Sequence, residues 1–292
     1  MALLTYNAPA NKEDLSDIIT NISPYDTPLY SMFGRGVAKS TYHEWPEEEL
    51  NPPQANAKLE GADYTFEDAH TPQRKGNYTQ IISRGYGVSE TQEVVDKPGT
   101  KSVIARSMVL AMREIGTDVE YAIIRNTAMN AGNATTARQM GGVQAFVTSN
   151  VLDNAGAARD LTEELLNDAI QAAWENGGKP DTVVVCGKHK RKISSFSAAS
   201  QRTIEATSKK LVAVIDIYES DFGLVRIVAD RWMLTDRLFV IEKGRWKTAY
   251  LRPFKKKPYP DGIADKKAGT IVGELTLEAR AEAANAIIRD LN

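Results

Sequence analysis

Apolar and polar positions recur along this chain in blocks that predict its elements. Residues 11–22 place Leu15, Ile18, Ile19 and Ile22 on one stripe of a short helix, which the turn-forming SPYDTP closes. Thr27-Pro28 then has the form of an N-cap followed by proline at the first helical position, and Gly34 ends that turn. Residues 37–45 and 77–88 follow the strand pattern, the second with Tyr78, Ile81, Ile82, Tyr86 and Val88. The strongest signal is at 101–129, where Ile104, Met108, Met112, Ile115, Val119 and Ile123 recur every three or four residues. It predicts one helix of about 43 Å, at 1.5 Å per residue. Thr100 or Ser102 can cap it, and Gly116 in its middle marks a close contact or bend. Its other face carries Arg106, Arg113, Glu114, Asp118, Glu120 and Arg125, a surface for solvent or for neighbouring subunits.

A second unit begins near Leu152. Residues 160–176 form an amphipathic helix, with Asp160 and Glu163 spaced as a capping box and Gly177-Gly178 as the stop. The strand TVVVC, a basic helix from Lys188 and strands at 210–218, 223–233 and 237–243 come next. That order predicts a mixed α/β unit with an antiparallel part. Residues 246–254 read as a strand, 255–267 as an exposed turn and 270–277 as a strand. An Ala-rich helix containing Ala281, Ala284, Ile288 and Leu291 is expected to close the chain.

Between the first two strands lie roughly thirty residues without periodicity, where a compact domain typically uses about 4–6. A two-stranded ribbon alone is marginally stable in water. Tyr64, Phe66, Tyr78 and Tyr86 nevertheless supply aromatic anchors, so the region reads as a long hairpin held from outside its own domain.

Composition narrows the function classes. With 42% hydrophobic and 25% charged residues in 292, the chain is globular, as one large domain or two smaller ones. A net charge of −2 gives no global field toward nucleic acid or membrane. The lone Cys186 ends an apolar run and reads as a small buried hydrophobe in a reducing compartment. No signal peptide is visible, and no apolar run approaches the roughly 20 residues of a membrane span, so a soluble protein made in a cytosol is expected.

Catalytic patterns do not converge. His43, His70 and His189 are far apart, and His43-Glu44 is followed by Trp45, Pro46 and Glu47, which breaks HExxH. There is no GxSxG and no zinc-ligand spacing. Cys186 to His189 half resembles a phosphate loop, but Thr182 stands where its first glycine belongs. Gly34-Arg35-Gly36 lacks the third glycine of a dinucleotide fingerprint. No catalytic, cofactor-binding or metal site is predicted, and the chain reads as a non-enzyme. The best local binding patch is KHKRK, Lys188 to Lys192, although Ile193 and Phe196 make it the solvated start of a helix. Arg252 with Lys255, Lys256 and Lys257 reads as part of the exposed turn.

From NISPYDTPLYSMFGRGVAKSTYHEW onward the sequence resembles the SU-ten-like tailed-bacteriophage major capsid proteins. The likeness continues through LTEELLNDAIQAAWENGGKPDTVVVCGKHKRKISSF, IDIYESDFGLVRIVADRWM, LRPF and GELTLEARAEAANAIIRDL. It departs at Pro-Glu-Glu-Glu after HEW, where a more mixed polar segment belongs. The resemblance implies an α+β chain of the Hong Kong ninety-seven-type capsid fold. Its parts map to an N-terminal arm (1–36), an extended hairpin or E-loop (37–92) and a peripheral domain (93–150 and 245–292) with spine helix 101–129. An axial domain (151–244) completes them.

The implied function is a shell of hexamers and pentamers, icosahedral, around packaged double-stranded DNA bound non-specifically. The alternative is a nucleic-acid-binding protein using Lys188–Lys192. Expected partners are copies of itself, with portal, scaffolding or decoration proteins, and neither membrane nor cofactor. The expected place is the virion, after synthesis in host cytoplasm. Inter-subunit contacts are expected at His43, Glu44, Trp45, Tyr64, Phe66, Tyr78, Arg84, Tyr86, Arg106 and Arg113. Trp45 would anchor the outgoing strand, Pro46 would end its pairing, and the three glutamates would face solvent or a neighbour's basic groups.

Overall fold

Ser102, one of the two caps expected, starts the long helix. In a computed structural model, which describes residues 26–61, 71–95, 102–199, 217–260 and 265–292, its Oγ accepts from the amide of Ala105. Glu93 adds a second cap, taking the Val103 amide at 2.9 Å and the Ser102 hydroxyl at 2.6 Å. The predicted helix at 11–22, and Tyr64, Phe66 and His70, lie outside the described residues.

In chain order the elements are α1 (Pro28–Met32), β1 (Gly34–Val37), β2 (Tyr42–Glu47), β3 (Gln73–Tyr78), β4 (Gln80–Ser89), α2 (Glu90–Val94), α3 (Val103–Arg125), α4 (Val143–Phe146) and β5 (Val151–Leu152). They continue as α5 (Glu163–Glu175), β6 (Thr182–Val185), α6 (Gly187–Ala199), β7 (Ile217–Ser220), β8 (Gly223–Ala229), β9 (Leu238–Ile241), β10 (Trp246–Pro258), β11 (Lys266–Ala279) and β12 (Ala286–Ile288). A four-stranded sheet has the order β1-β10-β11-β4, a six-stranded mixed sheet the order β5-β12-β9-β6-β8-β7, and β2-β3 form a separate ribbon.

The spine helix α3 has 23 residues, about 35 Å, and so stops short of the expected 129. Asn126 turns the chain out of the helix. Its side-chain nitrogen donates to Met140 O at 2.7 Å, while its carbonyl accepts from Gly142 N. A Cβ on Gly142 would lie 2.4 Å from the carbonyl oxygen of Ile123, so only glycine lets the returning loop approach the helix end. Gly142→Ala should therefore destabilise by about 1–3 kcal/mol, read as a lower denaturant midpoint at unchanged slope. Gly116 meets only Thr27, across an ordinary contact distance of 3.7 Å, and serves close packing of α1 on α3.

The six-stranded sheet divides its faces by simple alternation. Val184, Phe239, Ile241 and Ile287 join α3, α4 and the four-stranded sheet in one apolar cluster. Val183, Val185, Leu238, Val240 and Ile288 join Leu166, Ile170 and Ala173 of α5 and Ile193 of α6 in another. This sheet is therefore covered on both sides, which explains why its strands read as continuous apolar runs.

Several expectations are corrected. The Ala-rich C-terminal helix is absent: Ala281 adopts a left-handed φ of 48°, a single 3-10 turn follows at Glu282–Ala284, and β12 is a strand. Asn285 decides this. Its buried Oδ1 accepts from Trp246 Nε1 at 2.9 Å and Glu242 N at 3.0 Å, which pins the segment beside β9. Residues 286–288 thus enter the six-stranded sheet, not the body expected for 245–292.

The strand expected at 77–88 breaks at buried Thr79, so β3 pairs with β2 while β4 joins β11 in the four-stranded sheet. The free hairpin is correspondingly smaller than 37–92. Lys255, Lys256 and Lys257 lie in β10, paired with Val272, Ile271 and Thr270, and not in a turn. The cap of α5 is Thr162, whose Oγ1 accepts from Leu165 N, and not Asp160. Cys186 is buried, as its position after the valines implied.

Candidate functional site

The ribbon β2-β3 is clamped to its own body at the base. Asn77, fully buried, donates to Gly141 O and Leu277 O at 3.1 and 2.8 Å and accepts from Gly141 N at 2.8 Å. Trp45 is 3% exposed, with its ring 5.8 Å from that of Phe146. Pairing does not stop at Pro46, since Pro46 faces Arg74 and Glu47 faces Gln73. Glu47 accepts from Trp45 Nε1 and Ala281 N and pairs with Lys75 at 3.0 Å. Burial by itself raises the Glu47 pKa, but Lys75, Ala281 and Trp45 outweigh it and hold the carboxyl below its ordinary value.

The expected contact residues divide into two groups. His43 lies 3.2 Å from buried Glu278, Tyr78 packs on Tyr42 with ring centres 4.6 Å apart, and Arg84 grips Asp118 with two bonds of 2.6 and 2.7 Å. Tyr86 is half-buried over Gly269, where a Cβ would meet its hydroxyl at 2.5 Å. These residues, with Trp45, satisfy themselves inside the chain. Glu44 and Arg113 are exposed and Arg106 is half-buried. Glu120, read as part of the charged face of α3, is instead fully buried and accepts from the amides of Leu29 and Tyr30 at 2.7 Å each.

What remains uncovered lies further out. Residues 48–61 are exposed throughout, with Leu50 and Leu59 at 90% and 85%. The far ends of β10 and β11 expose Lys255, Lys256, Lys257, Lys266 and Lys267. One limb thus presents Glu48, Glu49 and Glu60 with a single Lys58, and the other presents five lysines. The exposed side of α3 adds Val109, Met112 and Tyr121. Sequence reading missed the lysine limb because prolines flank the run and suggest a turn; the matching strand at 266–272 is the signal that would have found it.

The basic run on α6 is only partly available. His189 is 3% exposed and its Nε2 donates to Thr235 O at 2.6 Å, while Lys190 Nζ donates to Ile227 O at 3.0 Å. Lys188, Arg191 and Lys192 reach solvent beside a hollow of about 350 Å³. Among the described residues no group of His, Cys, Asp and Glu is placed to hold a metal, and no helix is long and apolar enough to cross a membrane.

Comparison with known proteins agrees with this architecture. The major capsid protein of Escherichia phage Phieco32 is 21% identical across 90% of both chains. A chain of the cyanophage A-1(L) capsid asymmetric unit superposes with a TM-score of 0.73 at 11% identity, over 99% of each chain. A chain from Mycobacterium phage Bobi gives 0.68 at 13% identity, over 100% of this chain and 99% of that one. The expected α+β fold of the Hong Kong ninety-seven type is thereby borne out. The profile of the SU10 major capsid protein matches residues 3–292. This chain belongs to that family of phage major capsid proteins.

Proposed function

We propose that copies of this chain join as hexamers and pentamers and close into an icosahedral shell around packaged double-stranded DNA. The observation that carries the reading is the pair of exposed limbs, residues 48–61 with three glutamates against one lysine, and the lysine ends of β10 and β11. Charge complementarity of this kind sets register and partner choice between copies. Residues 1–36 act as the arm, the ribbon with its loop as the E-loop and α3 as the spine. The four-stranded sheet supplies the peripheral part and the six-stranded sheet, β12 included, the axial part. Portal, scaffolding or decoration proteins are further partners, and the subunit works in the virion after synthesis in host cytoplasm, by geometry and not by catalysis. Lys188, Arg191 and Lys192 serve at most as a local phosphate contact, since His189 and Lys190 are committed inward.

The ribbon register supplies the test. Glu47 and Gln73 are cross-strand partners, so residues 48–72 can be replaced by a two-residue Asn-Gly turn without moving the body. The variant should fold with wild-type thermal stability and form no closed shells by negative-stain electron microscopy. Normal shells from it overturn the reading.

A further inference from the structure

Two carboxyl groups are buried together where α1, α3 and the end of β8 meet. Both oxygens of Glu120 face the amides that open α1. Asp230, immediately after β8, is 1% exposed; its Oδ1 accepts from Trp232 N at 2.8 Å and its amide donates to Val185 O. The Asp230 Oδ2 is buried without a donor among the described residues. Asp230 is the charged group that most raises the Glu120 pKa, so the two carboxyls lie close to one another. As two carboxylates the pair would place like charges side by side out of water and still leave that oxygen orphaned.

Surrounding charges do not relieve this. Asp26, ahead of α1, adds negative field at Asp230. Arg231, next along the chain, pairs with Asp26 at 3.4 Å in an exposed contact. Arg125 on α3 donates to Trp232 O. We propose that Glu120 and Asp230 hold one proton between them, the Glu120 hydroxyl donating to Asp230 Oδ2, and that this proton latches α1 and the turn after β8 onto the spine helix. The protonated oxygen still accepts from α1 through its remaining lone pair. Burial first, then Asp230, push the Glu120 pKa from an ordinary 4.5 up to about 9, and burial also raises that of Asp230.

A carboxyl whose pKa is higher folded than unfolded draws a proton onto the chain as it folds. The stabilisation is complete below about pH 4.5, drains as the pH rises, and is spent by about pH 9. Across that window one extra bound proton raises the unfolding constant roughly tenfold per pH unit. Denaturant titrations of the full-length chain near neutral and mildly alkaline pH, beside Asp230→Asn and Glu120→Gln, test the latch. In Asp230→Asn the amide can donate to an ionised Glu120, and in Glu120→Gln the side chain donates without a titrating proton. Either variant should lose that tenfold-per-unit dependence. The wild type should also show a protonated-carboxyl infrared band at neutral pH that Glu120→Gln removes. An unchanged pH slope in whichever variant folds overturns the proposal, and so does a wild-type spectrum without the band.

Discussion

Trp246→Ala is expected to cost about 3–5 kcal/mol, a large share of the roughly 5–15 kcal/mol that holds a folded domain. Trp246 is 1% exposed at the start of β10, with its ring stacked on Phe33 at 5.6 Å and 15°. Truncation opens a cavity between the segment after α1 and the four-stranded sheet. It also removes the 2.9 Å bond from Nε1 to Asn285, the residue that fixes the path into β12. Two lobes are therefore disturbed by one change. Equilibrium denaturation should show the loss directly, and a shift below about 1 kcal/mol would mean the stack and the Asn285 anchor are not coupled.

Glu274→Ala should cost about 3 kcal/mol by a different route. This β11 carboxylate is 3% exposed and collects the Thr79 hydroxyl at 2.7 Å, Arg252 at 2.8 and 2.9 Å, and Arg138. Removing it leaves two guanidinium groups and a buried hydroxyl without their shared acceptor, the case in which breaking a buried pair is costly. Both arginines retain access to water, which places the effect at the low end. Burial would raise the Glu274 pKa, yet Thr79, Arg252 and Arg138 overcome it and keep the group below its ordinary 4.5. The stability it provides is thus present above that value and lost as pH falls through the depressed folded pKa. Glu274→Ala should flatten the acid side of the stability–pH curve, whereas substitutions at Glu120 or Asp230 should flatten the neutral-to-alkaline side. Acid unfolding that is identical with and without Glu274 would contradict this assignment.

Much of the scaffold was legible because burial periodicity and helical periodicity coincide. Ile115, Val119 and Ile123 on α3 and the valines of β6 could be read directly. Glu120 could not: its type and its charged neighbours suggest solvent, and only α1, ninety residues earlier, makes it an interior acceptor. The C-terminal segment failed for a related reason. Ala284, Ala286, Ile287 and Ile288 suit a buried helix or a buried strand equally, and the choice was made by Asn285 and by the vacancy between β5 and β9. Of the expected contacts, aromatic and basic types drew attention to His43, Tyr78 and Arg84, which their own subunit already occupies. The exposed surfaces are a mainly acidic loop and a lysine strand, ordinary-looking in sequence and distinguished only by their exposure in the fold.

The position of β12 carries a kinetic consequence. Ile287 pairs with Val151 on one side and Phe239 on the other, so three segments distant in sequence must meet before the β5 side of the six-stranded sheet is complete. Such non-local closure is slow. Until it happens, the flank of β9 offers a row of bare amides and carbonyls to any passing strand. A copy clipped ahead of Ala286 never seals that gap. Such a copy is expected to aggregate or be proteolysed more readily than the full chain.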